Sequence, residues 1–278
     1  MRLQEKFLEL RSKRQGILAT NFYNFETLQG TLMAAKSMDQ PLILQLTRSS
    51  IEYMGLPVAF NLAKSMLEYH HVEGWIHLDH GDSYELVKEC LEIGFDSVMI
   101  DASEKPFEEN IAITSKVVQL AQQYGANVEA ELGYIAKLGQ GKSKGAFTSP
   151  AEAKEFVEAT GVDALAIAIG TAHGFYDSEP ELQLEILSQI AEATTATLVL
   201  HGSSGVPAEA LKNAVDRGIC KINLATEIKN IFMQTLKSSL SSSDEIDLRK
   251  VFPKATEQIT ELVKEKLEIV KNTATLRA

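Results

Sequence analysis

Three short motifs place histidine beside small residues: Ile76-His77-Leu78-Asp79-His80, Gly170-Thr171-Ala172-His173-Gly174 and Leu200-His201-Gly202-Ser203-Ser204. Three imidazoles around one open position form the donor set of a catalytic zinc, which keeps a coordination site for water or substrate. Each histidine alone reads as an ordinary loop residue. Together, each followed by glycine near the end of an apolar run, they read as His80, His173 and His201 binding Zn²⁺ or another divalent metal. Asp79 directly precedes His80, and a carboxylate beside such a Lewis acid could shuttle a proton. Its structural alternative is capping the helix that starts near Ser83. Of the six histidines, His70 and His71 fall at a helix C-terminus, where the dipole favours them. His77 reads as an inward core or supporting residue.

These residues need elements to hold them, and strand-like and helix-like runs alternate along almost the whole chain. The predicted strands are Gly16–Asn21, Pro41–Thr47, Trp75–Asp79, Ser97–Asp101, Asn127–Leu132, Ala164–Gly170, Thr197–His201 and Gly218–Leu224. Helices are expected at Phe25–Met38, Gly55–Tyr69, Ser83–Glu92, Pro106–Tyr124, Pro150–Thr160, Glu181–Glu192, Pro207–Arg217 and Thr226–Ser238. Pro106, Pro150 and Pro207 fall near helix starts, where the missing N–H is harmless. Eight strand–helix pairs without a composition break predict an α/β fold, a (β/α)₈ TIM barrel spanning 1–278 as one domain. A long doubly wound sheet is the alternative. Extra helices are expected at the ends, over residues 1–15, plugging the barrel bottom or packing beside it, and over 253–271. Ser238–Ser243 reads as a solvated linker.

Alternation within the strands predicts which side chains enter the barrel. Gln45 and Thr47 share a face, as do His77 and Asp79, Glu129 and Glu131, and Lys221 and Asn223. An interior this polar differs from the branched-aliphatic filling of a structural barrel. Glu129 and Lys221 either serve the site or simply neutralise each other. The three histidines fall at strand C-termini, the face where barrel active sites lie. Gly202, Ser203 and Ser204 follow the seventh strand; Asn223, Leu224, Ala225 and Thr226 end the eighth. These are common phosphate-binding loops of this fold, using backbone N–H groups and helix N-termini. Gly174 could add another N–H. The long stretch Gly133–Ser149, rich in Gly and Lys, reads either as a lid or as disordered.

The composition sets outer bounds. The chain has 278 residues, 45% hydrophobic and 23% charged, ordinary for a globular enzyme and wrong for a disordered, collagen-like or disulfide-stapled protein. Its net charge of −11 argues against nucleic acid as a partner. Cys90 and Cys220 lack metal or redox spacing and read as two buried thiols in a reducing compartment. No secretory run opens the chain, and the longest apolar stretch, Val162–Ala172, is too short to span a bilayer. A cytoplasmic protein without membrane contact is expected.

The segments IHLDHGDS, GFDSVMIDAS, NVEAELG, DALAIAIGTAHGFY, LVLHGSSGVP and GICKINLATEIKN resemble the class II, metal-dependent ketose-bisphosphate aldolases. The similarity runs from about Gly16 to the C-terminal helix, and GTAHGFY and KINLATE are most similar to the tagatose-1,6-bisphosphate branch. The resemblance implies a lyase that cleaves a tagatose- or fructose-1,6-bisphosphate-type ketose into dihydroxyacetone phosphate and an aldehyde such as glyceraldehyde 3-phosphate. It implies zinc on His80, His173 and His201 polarising the ketose carbonyl, with Asp79 as proton donor and acceptor. Gly174, Gly202 to Ser204 and Asn223 to Thr226 would hold the dihydroxyacetone-phosphate half. Asn21 and Thr47 fall near positions lining the family's pocket. Arg249 stands where the family supplies an arginine to the far phosphate, often across a subunit interface, although Leu248 replaces the usual proline before it. A homodimer or homotetramer follows family habit. After Glu131-Leu132-Gly133 the family usually continues with Gly-Gly and an acidic pair on a mobile loop; here Tyr134 to Lys142 contains no acid. Either another group such as Glu131 or a water moves that proton, or the substrate differs. The alternatives are an aldolase for another phosphorylated keto-sugar, and a silent metal- and phosphate-binding paralogue acting as an accessory subunit.

Overall fold

Asn24, Ser83 and Ser149 each accept a backbone N–H from the turn they precede, and Asp39, Gly94 and Gly161 close their helices in left-handed conformations. Such punctuation cuts the chain into the repeated strand–helix units of the computed structural model, which describes residues 1–133, 135–137, 147–176 and 178–271. Among these residues the strands are β1 (Ile17–Asn21), β2 (Leu42–Thr47), β3 (Gly74–Gly81), β4 (Ser97–Ile100), β5 (Asn127–Leu132), β6 (Ala136–Lys137), β7 (Ala164–Ile167), β8 (Ala172–His173), β9 (Thr197–Leu200) and β10 (Ile219–Leu224). The helices are α1 (Leu3–Ser12), α2 (Phe25–Met38), α3 (Arg48–Met54), α4 (Leu56–His70), α5 (Tyr84–Ile93), α6 (Phe107–Gln122), α7 (Pro150–Thr160), α8 (Leu184–Ala193), α9 (Ala208–Asp216), α10 (Thr226–Ser241) and α11 (Leu248–Lys271).

Eight strands close a parallel barrel in the order β1-β10-β9-β7-β5-β4-β3-β2, the (β/α)₈ architecture that the alternation of elements predicts. β6 and β8 pair separately as a small two-stranded sheet above it. Outward strand residues such as Leu44, Leu78, Val128, Leu165 and Ile222 pack with the helices in one continuous core. Inside the barrel the filling changes with height. At the bottom Ile17, Ala19, Ile43, Trp75, Ala164 and Val199 meet Leu3, Phe7 and Leu10 of α1, so the N-terminal helix plugs the barrel. Above that plug the interior is polar, with Gln45, His77, Glu129, Glu131 and Lys221 all buried. Ala164 and Ala166 lie opposite Glu129 and Glu131 in the register, and their small side chains leave room for the carboxylates.

Three of the departures from expectation concern α3, α10 and α11. The C-terminal helix begins at Leu248 rather than at residue 253, and Pro253 lies inside it. The reason is Asp247, whose carboxylate accepts the Arg249 backbone N–H at 3.0 Å and starts the helix upstream of the proline. α10 runs on to Ser241, absorbing four of the six residues of the expected serine linker. α3 was not expected; it begins at Arg48 because the Thr47 hydroxyl accepts the Ser50 N–H, and it stops at Gly55. Cys90 and Cys220 are both free and buried, and burial pushes each thiol up to about 12.

Candidate active site

The site starts from a defect in β3. Along β3 and β4, His77 pairs with Ser97 and Leu78 with Val98, but Gly81 pairs with Ile100, so β3 carries one extra residue. His80 sits in that bulge with φ +49, a left-handed conformation that histidine seldom adopts. Strict alternation would turn His80 outward when Asp79 points inward. The bulge re-aims it, so that Asp79 and His80 both line one cavity at the barrel mouth. Gly81 is needed for this, because a Cβ there would lie 2.4 Å from the Met99 carbonyl oxygen.

Asp79 is buried, and both its oxygens are held. Asn21 Nδ2 donates to Oδ2 at 2.9 Å, and Asn223 Nδ2 donates to Oδ1 at 3.3 Å. Asn21 is oriented in turn by Gln45, whose Nε2 donates to Asn21 Oδ1 at 3.1 Å. Burial alone would raise the Asp79 carboxyl, but positive charge on His80, His201 and Lys221 outweighs it and holds the group below its ordinary value. Asp79 therefore serves the cavity and does not cap the next helix; Ser83 does that.

The three histidines converge. Ring centroids lie 5.0 Å apart for His80 and His173, 4.8 Å for His80 and His201, and 5.8 Å for His173 and His201. Glu131 joins them: one donor atom from each of His80, Glu131, His173 and His201 falls within 4.8 Å of all the others. Three imidazoles and a carboxylate suit a borderline-soft divalent cation such as zinc, so the donor set fits a metal. His80 Nδ1 lies 2.8 Å from Asp101 Oδ2, and the Ser103 backbone N–H and hydroxyl donate to the other Asp101 oxygen. Burial would raise Asp101, yet its bonds to His80 and Ser103 hold it well below the usual carboxylate range. His201 lies between two buried carboxylates, Nδ1 3.0 Å from Glu131 Oε2 and Nε2 3.0 Å from Glu129 Oε1. Burial opposes its protonation, but those carboxylates prevail and raise it to about 10.

A cavity of about 480 Å³ opens over these groups. Of the expected residues, Asn21, Thr47, Asp79, His80, His173, Gly174, Gly202, Ser203, Ser204, Asn223, Ala225 and Thr226 line it. His201 lies just beneath, fully buried. At one end α10 begins after Ala225, whose side chain cannot cap it, and the helix start with its dipole faces the Gly202–Ser204 loop. Ser204 Oγ accepts from the Glu227 N–H, and Tyr176 Oη receives the Ala172 N–H and bonds the Gly202 carbonyl, tying these loops together. Gly202 has φ +67, and a Cβ there would meet the Ala172 carbonyl oxygen at 2.4 Å.

Two expected residues are not at the cavity. Leu224 turns outward into the helix-covered core, as alternation next to inward Asn223 requires. Arg249 lies on α11 over a separate groove with Phe25, Leu248 and Phe252; its side chain is 89% exposed and pairs with Asp247 at 3.0 Å. The stretch Tyr134 to Lys142, apart from 135–137, lies outside the described residues, as does the remainder of the expected lid to 146. Tyr23, Ser49, Asp82, Asp101 and Lys229 also line the cavity and were not anticipated. Lys229 stands 5.6 Å from the centre of the Tyr23 ring. Only Asp101 had a readable signal, standing at the end of a predicted strand like the histidines.

A polar barrel mouth, a three-histidine and one-carboxylate donor set and a glycine-serine loop facing a helix N-terminus define an enzyme-type barrel. The chain matches the family model for class-II fructose-bisphosphate aldolase over residues 1–275. It is 36% identical to the fructose-bisphosphate aldolase of Helicobacter pylori strain ATCC 700392 / 26695, over 96% of each chain. It is 38% identical to the D-tagatose-1,6-bisphosphate aldolase subunit GatY of Klebsiella oxytoca, over 84% of this chain and 85% of that one. The crystal structure of the YdjI aldolase from Escherichia coli K12 superposes with a TM-score of 0.87 at 32% identity, covering 96% of each chain. The chain belongs to the class-II fructose-bisphosphate aldolase family. No helix among the described residues is long and apolar enough to cross a membrane.

Proposed function

We propose that the protein is a zinc-dependent aldolase that reversibly cleaves a ketose bisphosphate of the tagatose or fructose 1,6-type to dihydroxyacetone phosphate and an aldehyde such as glyceraldehyde 3-phosphate. The observation that carries this reading is the adjacency of Asp79, held by two amides, to the donor set of His80, Glu131, His173 and His201 within one cavity. Zinc on His80, His173 and His201 would supply Lewis-acid polarisation of the ketose carbonyl. Asp79 accepts the proton of the hydroxyl on the carbon at the far end of the breaking bond, whose C–O becomes the aldehyde carbonyl, and returns it in condensation. Asn21 and Asn223 keep that carboxylate aimed. Gly202 to Ser204 and the start of α10 offer N–H and hydroxyl donors to the phosphate of the retained fragment. Glu131 is buried in the donor group, and in this reading it would move the second proton that the family's acidic loop handles. The negative net charge leaves this binding to local donors.

The same reading takes the chain as one cytoplasmic domain that assembles as a homodimer or homotetramer. Arg249, exposed and turned away from its own cavity, would exchange its pairing with Asp247 for a neighbour's far phosphate. Triose phosphate release from fructose-, tagatose- and related ketose phosphates, measured before and after chelation, tests the proposal. Cleavage lost on chelation and restored by Zn²⁺ is expected. Activity that survives chelation overturns the metal requirement. A zinc-loaded protein inert on every ketose phosphate would instead be the silent accessory paralogue.

A further inference from the structure

His80 and His201 are held by carboxylates through opposite ring nitrogens. His80 has Nδ1 against Asp101, whereas His201 has Nε2 against Glu129. Glu129 is itself fixed: Lys221 Nζ donates to Oε2 at 2.7 Å while Oε1 lies 3.0 Å from His201 Nε2. His201, Glu129 and Lys221 side chains are 0%, 1% and 1% exposed. A carboxylate in so dry a place would be expensive without its counter-ion, and the Lys221 pairing leaves the two without net charge. Had Glu129 and Lys221 served only to neutralise each other, either oxygen could have faced any polar group. Here one oxygen is committed to the lysine and the other to the ring nitrogen of a histidine in the donor group.

A neutral imidazole has one N–H and one lone pair, and the partner of the first decides where the second points. Metal binding requires the neutral ring, so one of the two protons that the flanking carboxylates favour must leave; with Nε2–H kept by Glu129, the lone pair of His201 is on Nδ1. That atom faces Glu131, a member of the same four-residue donor group as His80 and His173. We propose that the buried Lys221–Glu129 pair is the positioning device of the metal site, fixing His201 so that Nδ1 is its ligand atom. The lysine acts at one remove, by holding Glu129. Glu129 and Lys221 touch neither substrate nor metal in this scheme, which rests on the zinc reading proposed above.

Zinc affinity by chelator competition, together with the visible absorption of the Co²⁺-substituted protein, tests this on the Glu129→Leu/Lys221→Met double variant. Removing both charges together leaves no unpaired ion to compromise folding. The expected result is a metal-free melting temperature close to that of the parent, Zn²⁺ binding roughly 10–100-fold weaker, and shifted Co²⁺ bands. A folded double variant with parent-like affinity and spectrum overturns the assignment. A second measurement needs no variant: imidazole ¹⁵N spectra of the unsubstituted protein loaded with Zn²⁺ should show His201 in the Nε2–H form. An Nδ1–H form of His201 overturns the assignment. Failure of the parent to take up Zn²⁺ overturns the metal reading itself, and is distinguishable from both results.

Discussion

His80 Nδ1 lies 2.8 Å from Oδ2 of Asp101, and the other Asp101 oxygen is bound by the backbone N–H and hydroxyl of Ser103. The carboxylate is therefore braced on one side and aims an imidazole on the other. It leaves Nε2 of His80 as the nitrogen available to a ligand. Replacing Asp101 by alanine frees the ring to turn, and zinc affinity should fall about 10–100-fold. Chelator competition measures this, and saturating zinc should restore most of the activity. An unchanged affinity would mean that packing alone orients His80.

Asp79→Asn keeps the size of the side chain but cannot take up a proton. The rate of triose phosphate release should drop by roughly 10²–10⁴, while metal content, measured by elemental analysis, stays at the parent level. Loss of metal along with activity would move Asp79 from proton transfer to support of the donor set.

α2 and α11 approach closely at Gly30. A Cβ there would lie 2.7 Å from the Thr256 carbonyl oxygen and 2.9 Å from Ile259 Cβ, and Thr260 Oγ1 already donates to the Gly30 carbonyl at 3.1 Å. Gly30→Ala should cost about 1–3 kcal/mol through overpacking, offset by the roughly 1 kcal/mol that alanine gains over glycine within a helix, for a net loss of up to about 2 kcal/mol. The urea midpoint reports it. A higher midpoint would show that the two helices have slack at this crossing.

The barrel was legible because its signals are periodic. Alternating runs such as Gln45-Leu46-Thr47 and Val128-Glu129-Ala130-Glu131 name their inward residues, and the burial of Gln45, Glu129 and Glu131 follows. The histidines were legible for a related reason: each closes such a run. Arg249 was not, because its position depends on Asp247 starting α11 upstream of Pro253, a local cap that outweighs a proline one turn later. Nor were Tyr23 and Lys229, which enter the cavity from a loop and a helix whose orientation no strand period encodes. Leu224 was misplaced by treating a motif as a block. Within Asn223-Leu224 the strand still alternates, so only the asparagine faces the substrate side.

The bulge at His80 has one more consequence. In a regular strand, two side chains on the same face are separated by a residue and stand roughly 6–7 Å apart along the chain. Asp79 and His80 share a peptide bond, so their backbones are linked by rigid covalent geometry rather than by the packing of the barrel. Breathing of the sheet would carry proton acceptor and metal ligand together as a single body. The distance that matters most to the proposed chemistry would then be among the least sensitive to temperature, crowding or substitution elsewhere in the barrel.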